Sequence, residues 1–190
     1  MAVVFRRRED APSLSNKYYL KYDSAFDGYD KCIMIDSSTG SCLPNCTGYA
    51  YSRFMECQNN VTTCNLSTGD AGNWYYKNDG YQRGQEPKLG AVICWSDSAG
   101  AGHVAIVEKI ESNGDILTSN SAYGGSYFYL KTLSPSNNYY MGSTYSFQGF
   151  IYNPTEFIDP DNPNAYNKKN NFKWAIYTNK IRKRHLTQYK

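Results

Sequence analysis

Few side chains in this sequence could act as nucleophile or general base, and two of them lie in favourable places. The chain has six cysteines and two histidines, His103 and His185. Cys46 lies at the predicted start of a helix, where unpaired backbone N–H groups favour the nucleophilic thiolate. His103 follows the small-residue loop Ser98-Ala-Gly-Ala-Gly102 and opens an apolar run typical of a strand. The two residues could therefore form a nucleophile and its general base.

Neighbouring polar residues could complete such a site. Asn120, in the next predicted strand, can accept from the second imidazole nitrogen and hold the ring in one tautomer. The backbone N–H of Cys46 would form part of an oxyanion hole, and the Asn45 side chain could add to it. A cysteine is, however, more often a small buried residue, and His185 lies in a charged segment typical of solvated surface. Spacing alone therefore leaves structural roles open.

Two patterns predict the elements that position these residues. The segment from Leu43 to Cys57 begins with Pro-Asn and keeps apolar residues at helical spacing, which predicts a helix from about Asn45 to Gln58. The later β-type runs, separated by turn residues, predict an antiparallel sheet. These runs are Ala91–Ser96, His103–Glu111, Ile116–Ser121, Phe128–Thr132 and Phe147–Tyr152. Asn113-Gly114 predicts a type I′ hairpin turn, because both residues accept positive φ.

Shifts in composition divide the chain into three parts. Residues 1–40 are rich in Tyr and Asp and predict an irregular lead-in with a short strand near Cys32–Ile35. Residues 41–154 hold the helix, the sheet and a short helix at Ala71–Tyr76, and predict one catalytic domain. Residues 155–190 contain an Asp-Pro-Asp-Asn-Pro segment and the basic run Lys180-Ile-Arg-Lys-Arg-His185, and predict a linker and tail.

Composition argues against several classes of partner. With 190 residues, of which 41% are hydrophobic, the chain can bury one core. The net charge of +3 is too small to indicate nucleic acid. No stretch approaches the roughly 20 apolar residues of a membrane span, and the mean hydropathy of −0.65 agrees. Arg6-Arg-Arg8 follows the first apolar residues, the reverse of a secretory signal.

The cysteines match no CxxC metal pattern, and without a predicted secretory signal they are expected to be reduced. Cys94 lies among apolar residues and is expected to be a buried, inert thiol. Other cysteines could pair under oxidising conditions, with no pairing indicated: Cys32, Cys42, Cys57 and Cys64.

Several motifs together resemble one family. In order along the chain they are Leu43-Pro-Asn-Cys-Thr-Gly-Tyr-Ala-Tyr-Ser-Arg-Phe54, Gly72-Asn-Trp74, Pro87-Lys-Leu-Gly-Ala-Val-Ile-Cys-Trp95, Gly102-His-Val-Ala-Ile-Val-Glu108, Gly114-Asp-Ile-Leu-Thr-Ser-Asn-Ser-Ala-Tyr-Gly124 and Phe147-Gln-Gly-Phe-Ile-Tyr152. They resemble the CHAP domain, a cysteine, histidine-dependent amidohydrolase/peptidase, over about residues 40–154. Because these motifs occur in register, the resemblance is specific.

The resemblance implies an α+β, papain-like fold in which the nucleophile helix packs on a small antiparallel β-sheet. It implies that Cys46 is the nucleophile, His103 the base and Asn120 the orienting residue, where many relatives have Glu. It also implies a peptidoglycan hydrolase, either an amidase or an endopeptidase, with bacterial peptidoglycan as partner.

The Tyr-rich lead-in, for example Asn16-Lys-Tyr-Tyr-Leu20, resembles that of bacteriophage endolysins and virion tail lysins. This resemblance implies a phage product that is either released from the host cytoplasm at lysis or carried on the virion tail, with phage tail proteins as further partners. The alternatives are a virion structural or wall-binding module with little catalysis and, third, a deamidase or isopeptidase acting on proteins.

Some relatives carry calcium in an Asp-rich loop before the nucleophile. Here that stretch contains one carboxylate, Asp36, whereas Ca²⁺ takes six to eight oxygen ligands. We therefore predict no metal and no cofactor, and expect Asp23, Asp27 and Asp30 to lie in a solvated loop.

Aromatic residues could line a groove for glycan or peptide, because rings stack on sugar faces. Trp74 and Tyr123 are the predicted substrate-binding candidates, with core packing as the alternative. Trp95 is expected in the core beneath the site.

Overall fold

A computed structural model describes residues 2–20, 32–33, 36, 38–59 and 64–162. Within these ranges one α-helix, α1 (Cys46–Gln58), packs against a β-sheet. The strands are β1 (Val3–Val4), β2 (Arg83–Gly84), β3 (Val92–Asp97), β4 (His103–Ile110), β5 (Ile116–Asn120), β6 (Tyr129–Leu133), β7 (Tyr145–Ile151) and β8 (Phe157–Ile158). Short 3-10 helices occupy Lys17–Tyr19, Ala71–Tyr76 and Pro135–Asn137. No helix in the described ranges is long and apolar enough to cross a membrane.

Helix α1 begins where the sequence predicts it. Asn45 is the N-cap residue, and its Oδ1 accepts from the Gly48 N–H at 3.0 Å and from Thr47 Oγ1 at 2.7 Å. An N-cap oxygen of this kind satisfies an N–H that has no partner inside the helix. Tyr49 and Phe54 are fully buried, so one face of the helix packs into the core. The predicted helix is confirmed.

The main sheet has the order β2-β7-β3-β4-β5-β6, and its pairings are antiparallel. One core lies between α1 and the sheet and includes Val104 and Ile106 of β4. A second core, with Trp95 and Ala105, involves the alternate residues of β3 and β4, since successive side chains of a strand point to opposite faces. The fold is therefore α+β, with a helix on an antiparallel sheet, as predicted.

The predicted strands are present with ends shifted by at most two residues, and the Ala71–Tyr76 helix is present as a 3-10 helix. The predicted strand near Cys32–Ile35 lies partly outside the described residues, and its described part, Cys32 and Ile33, is not in a strand.

The turn between β4 and β5 differs from the predicted type I′ turn. Gly114 has φ of +90°, whereas Asn113 does not have a positive φ. The Gly114 N–H donates to Glu111 O, and the Glu111 N–H donates to Asp115 O. A loop of this length needs a single left-handed residue, so only the glycine adopts that conformation.

The folded unit extends beyond the predicted domain of residues 41–154. β1 pairs with β8 in parallel, Val3 opposite Phe157 and Val4 opposite Ile158. Phe5 is buried, with its ring centroid 4.9 Å from that of Phe157. The predicted boundaries therefore need correction: part of the lead-in and residues 155–162 pack on the domain. This pairing joins distant segments and is not visible in local composition. Residues 163–190 lie outside the described ranges.

Candidate active site

Cys46 is the first residue of α1, and its side chain is partly buried against the core between α1 and the sheet. Burial raises the pKa of the Cys46 thiol above its ordinary value of 9.0, because a thiolate loses hydration there. The N–H groups of Val104, Thr47 and Cys46 itself face the sulfur and partly oppose this effect. The N–H groups at the helix start do lower the pKa of Cys46, as expected, but desolvation outweighs them, so the net shift is upward.

His103 is the first residue of β4 and is 5% exposed. Its Nε2 lies 3.1 Å from Asn120 Oδ1. Burial lowers the pKa of His103 below 6.5, the positive charge of Lys131 lowers it further, and the hydrogen bond to Asn120 opposes both effects. The imidazole is therefore neutral at pH 7 and available as a base.

The surroundings of Asn120 determine which imidazole nitrogen carries the proton. Asn120 Nδ2 donates to Thr118 O at 3.2 Å and to Thr118 Oγ1 at 3.0 Å. Thr118 Oγ1 in turn donates to Lys131 O at 2.9 Å, so it is an acceptor towards Asn120. The amide oxygen of Asn120 therefore faces the ring and accepts from Nε2–H. Nδ1 of His103 is left with a lone pair that can accept a proton.

In the structure His103 is hydrogen-bonded to Asn120, and Cys46 contacts Val104, the next residue of β4. The Cys46 sulfur faces the N–H of Val104, which follows His103 in the chain. A second link is the Asn45 N–H, which donates to Ser121 Oγ at 3.1 Å beside Asn120. Among the described residues, no hydrogen bond joins the Cys46 sulfur to the imidazole ring.

Aromatic rings lie around His103. The ring centroids of Trp95 and Tyr145 lie 5.8 Å and 6.0 Å from that of His103. Tyr129 lies opposite Asn120 in the β5–β6 register. Burial, together with the charges of Cys46 and Tyr145, raises the pKa of Tyr129 to about 12. Sequence reasoning did not identify Tyr129 or Tyr145 as site residues, because only the strand register places them there.

The predicted substrate-binding residues have different surroundings. Trp74 is fully buried and its Nε1 donates to Gly69 O at 2.8 Å, so its predicted contact with substrate is corrected to a packing role. Tyr123 is 84% exposed, and its role stays a prediction. The Oδ1 of Asn45 is occupied by the helix cap, which leaves its Nδ2 for the predicted oxyanion contact. Trp95 is fully buried, as predicted.

The cysteines and acidic residues of the described ranges form no metal site and no disulfide. No group of three or more His, Cys, Asp or Glu residues there could hold a metal ion. Asp36 Oδ1 accepts from the backbone N–H and hydroxyl of Ser38, while Asp23, Asp27 and Asp30 lie outside the described residues. None of the six cysteines forms a disulfide, and Cys94 is fully buried.

The arrangement of α1 and β4 agrees with a family assignment. The family model of the CHAP domain matches residues 36–122. This part of the chain is a CHAP domain. The matched region contains α1, β3, β4 and β5, and with them Cys46, His103 and Asn120. The CHAP domain therefore includes each residue of the predicted catalytic set.

Two Staphylococcus aureus proteins are similar to parts of this chain. The probable autolysin LDP of strain NCTC 8325 / PS 47 is 34% identical over 84 residues, which are 43% of this chain and 28% of that protein. The chain thus spans under a third of that relative. A crystal structure of N-acetylmuramoyl-L-alanine amidase covers 68% of this chain and 37% of its own chain, at 25% identity and a TM-score of 0.43.

Proposed function

We propose that this CHAP domain hydrolyses an amide bond of bacterial peptidoglycan, with Cys46 as nucleophile, His103 as general base and Asn120 as the residue that orients the base. The observation that carries the proposal is the oriented hydrogen bond from His103 Nε2 to Asn120, which leaves Nδ1 as proton acceptor on the strand that contacts the Cys46 sulfur. The family and the similarity to a probable autolysin support peptidoglycan as substrate.

The first half of the reaction forms a thioester. Burial favours the neutral thiol and the neutral imidazole, so the Cys46 proton passes to His103 Nδ1 as the sulfur attacks the amide carbonyl carbon. The Cys46 N–H, with Asn45 Nδ2, stabilises the negative oxygen of the tetrahedral intermediate. The imidazolium then protonates the leaving amine nitrogen, and the C–N bond breaks.

The second half releases the acid. Water enters where the amine has left, and His103 Nδ1 takes one of its protons as the oxygen attacks the thioester carbon. The C–S bond breaks, the imidazolium returns its proton to the sulfur, and a carboxylic acid leaves. Asn120 keeps Nε2 protonated throughout, so that Nδ1 remains the nitrogen that exchanges protons.

Mass spectrometry of soluble fragments from purified Gram-positive peptidoglycan tests the proposal, with Cys46→Ala as control. Stem peptides that begin with alanine would identify an amidase, and cleavage within the stem or cross-bridge an endopeptidase. Fragments released equally by Cys46→Ala would contradict the thiol mechanism. Wall binding without Cys46-dependent fragments would instead support the wall-binding module.

We further propose that the protein is a bacteriophage lysin, acting from the host cytoplasm at lysis or on the virion tail. The support is the resemblance of the Tyr-rich lead-in to phage lysins. Proteomics of purified particles and of late-infection lysates would separate the two locations, because a tail component, in contact with tail proteins, remains with the particles. Absence from both would contradict the phage role.

A further inference from the structure

A buried pair of opposite charges lies behind α1. Arg53 of α1 is 3% exposed at its side chain and Glu108 of β4 is fully buried. Arg53 Nε donates to Glu108 Oε1 and its second terminal nitrogen donates to Oε2, both at 2.8 Å. Such a bidentate pair fixes the direction of both side chains as well as their separation.

The same carboxylate also reaches β5. Ser119 Oγ donates to Glu108 Oε1 at 2.6 Å, and Ser119 precedes Asn120 in the chain. Glu108 belongs to the strand that begins at His103, and Arg53 to the helix that begins at Cys46. One buried carboxylate therefore connects the three elements that carry nucleophile, base and orienting residue.

Residues 5–20, which we call the amino-terminal arm, complete this network. The Arg8 N–H donates to Glu108 Oε2 at 2.9 Å, and Arg53 donates to the carbonyl oxygen of Arg6. Tyr19 donates to Glu56 Oε2 at 3.0 Å. Arg8, Asn16 and Arg53 also donate to Glu56. The arm lies before residue 36, where the family match begins, so the CHAP domain is tied to a segment outside the family model.

We propose that Arg53, held by Glu108 and the amino-terminal arm, is a positioning residue that sets Cys46 against His103. The identity of the reaction rests on the proposed function, whereas the positioning itself does not. Replacing a buried ion pair by apolar side chains is often neutral or stabilising, so net stability is a weak reason for such a pair. The positioning of the reacting groups is a stronger reason, because a shift of about 1 Å in a reacting group can cost roughly 100-fold in rate.

The test compares four variants: Arg53→Met, the double variant Arg53→Met/Glu108→Leu, the conservative Arg53→Lys, and Arg7→Met as control. Arg7 belongs to the same arm, but its terminal nitrogens pair with Asp159 and Asp161, at 2.9 Å and 2.7 Å, and not with a carboxylate of α1 or β4. The readouts are kcat and KM on peptidoglycan, the pH profile of Cys46 alkylation by iodoacetamide followed by peptide mass spectrometry, and urea unfolding.

We expect Arg53→Met to be unstable because it leaves Glu108 without its ion pair, and the double variant to regain stability. In the double variant kcat should stay at least about 10-fold below wild type, with KM nearly unchanged and a shifted alkylation profile. Arg53→Lys should keep part of the kcat that Arg53→Met loses. Arg7→Met should keep the wild-type pH profile of Cys46 alkylation.

Recovery of kcat together with stability in the double variant would overturn the proposal, as would an equal shift of the alkylation profile in Arg7→Met. Alkylation needs no wall substrate, which separates the two proposals. If wild type releases no wall fragments but its alkylation profile depends on Arg53 as expected, the peptidoglycan function fails and the positioning role stands.

Discussion

The Asn45 N–H donates to Ser121 Oγ at 3.1 Å, and this hydrogen bond ties the cap of α1 to the residue after Asn120. Both residues are buried, so the donor has no alternative partner in water. Ser121→Ala should lower the free energy of unfolding by about 1–3 kcal/mol, the usual cost of an unsatisfied buried donor. Urea titration would measure it, with the exposed Ser136→Ala as control. Equal losses in both variants would contradict this role.

Asn120→Ala should reduce kcat/KM by roughly 10- to 100-fold, since in the proposed mechanism Asn120 acts through a general base, and a general base contributes about 10²–10⁴-fold. Its hydrogen bond opposes the lowering of the His103 pKa, so the acid limb of the pH–rate profile should move to lower pH. Steady-state kinetics between pH 4 and pH 8 would show both effects. An acid limb that moves upwards would contradict the assigned hydrogen bond.

The wild-type pH–rate profile should have a broad plateau. The proposed mechanism needs His103 unprotonated and one proton on Cys46. Because burial lowers the pKa of His103 below 6.5, kcat/KM should reach its plateau at a lower pH than an ordinary histidine would allow. Because burial raises the pKa of Cys46 above 9.0, the alkaline limb should lie above pH 9.0. A kcat/KM maximum confined to a narrow range between pH 6.5 and pH 9.0 would contradict these directions of the two pKa shifts.

Gly102→Ala should abolish most activity, whereas Gly100→Ala should not. Both glycines have positive φ, +65° and +84°, so either alanine would cost about 1–2 kcal/mol of backbone strain. A Cβ at Gly102 would also collide with the backbone of Gly72 and Trp95, whereas a Cβ at Gly100 meets open space. Only Gly102→Ala would therefore displace the backbone of the residue before His103. Kinetics of both proteins, with circular dichroism to check folding, would test this; equal activities would contradict it.

Glu56→Gln should lower the free energy of unfolding at pH 7 and make this free energy less dependent on pH in the acid range. Burial alone would raise the pKa of Glu56, but Arg53, Arg8 and Asn16 outweigh burial and hold it below 4.5. A carboxyl with a depressed folded-state pKa stabilises the fold above its unfolded pKa, and this contribution is lost as pH falls through the folded value.

Urea unfolding from pH 3 to pH 7 would show the difference between wild type and Glu56→Gln narrowing towards acid. The exposed Glu86→Gln is the matched control and should follow wild type. A difference that is constant with pH would show that the carboxylate charge is not responsible.

Several features follow from local patterns in the sequence. The cap at Asn45, the helix behind it and the strands that begin at His103 and Ile116 were predicted within two residues. These signals are local, because a capping side chain and a periodic apolar face act over a few residues. Residue type and position, together with the family resemblance, likewise predict Cys46, His103 and Asn120 as the catalytic set.

Other features depend on segments that are distant in the chain. Burial reverses the expected pKa shift of Cys46, and it places Trp74 in the core. The pairing of Val3–Val4 with Phe157–Ile158 extends the folded unit beyond both predicted domain boundaries. Sequence alone therefore determined which residues could react and which elements carry them. Tertiary structure decided their protonation, exposure and mutual position, because desolvation and long-range contacts arise only when distant segments exclude water together.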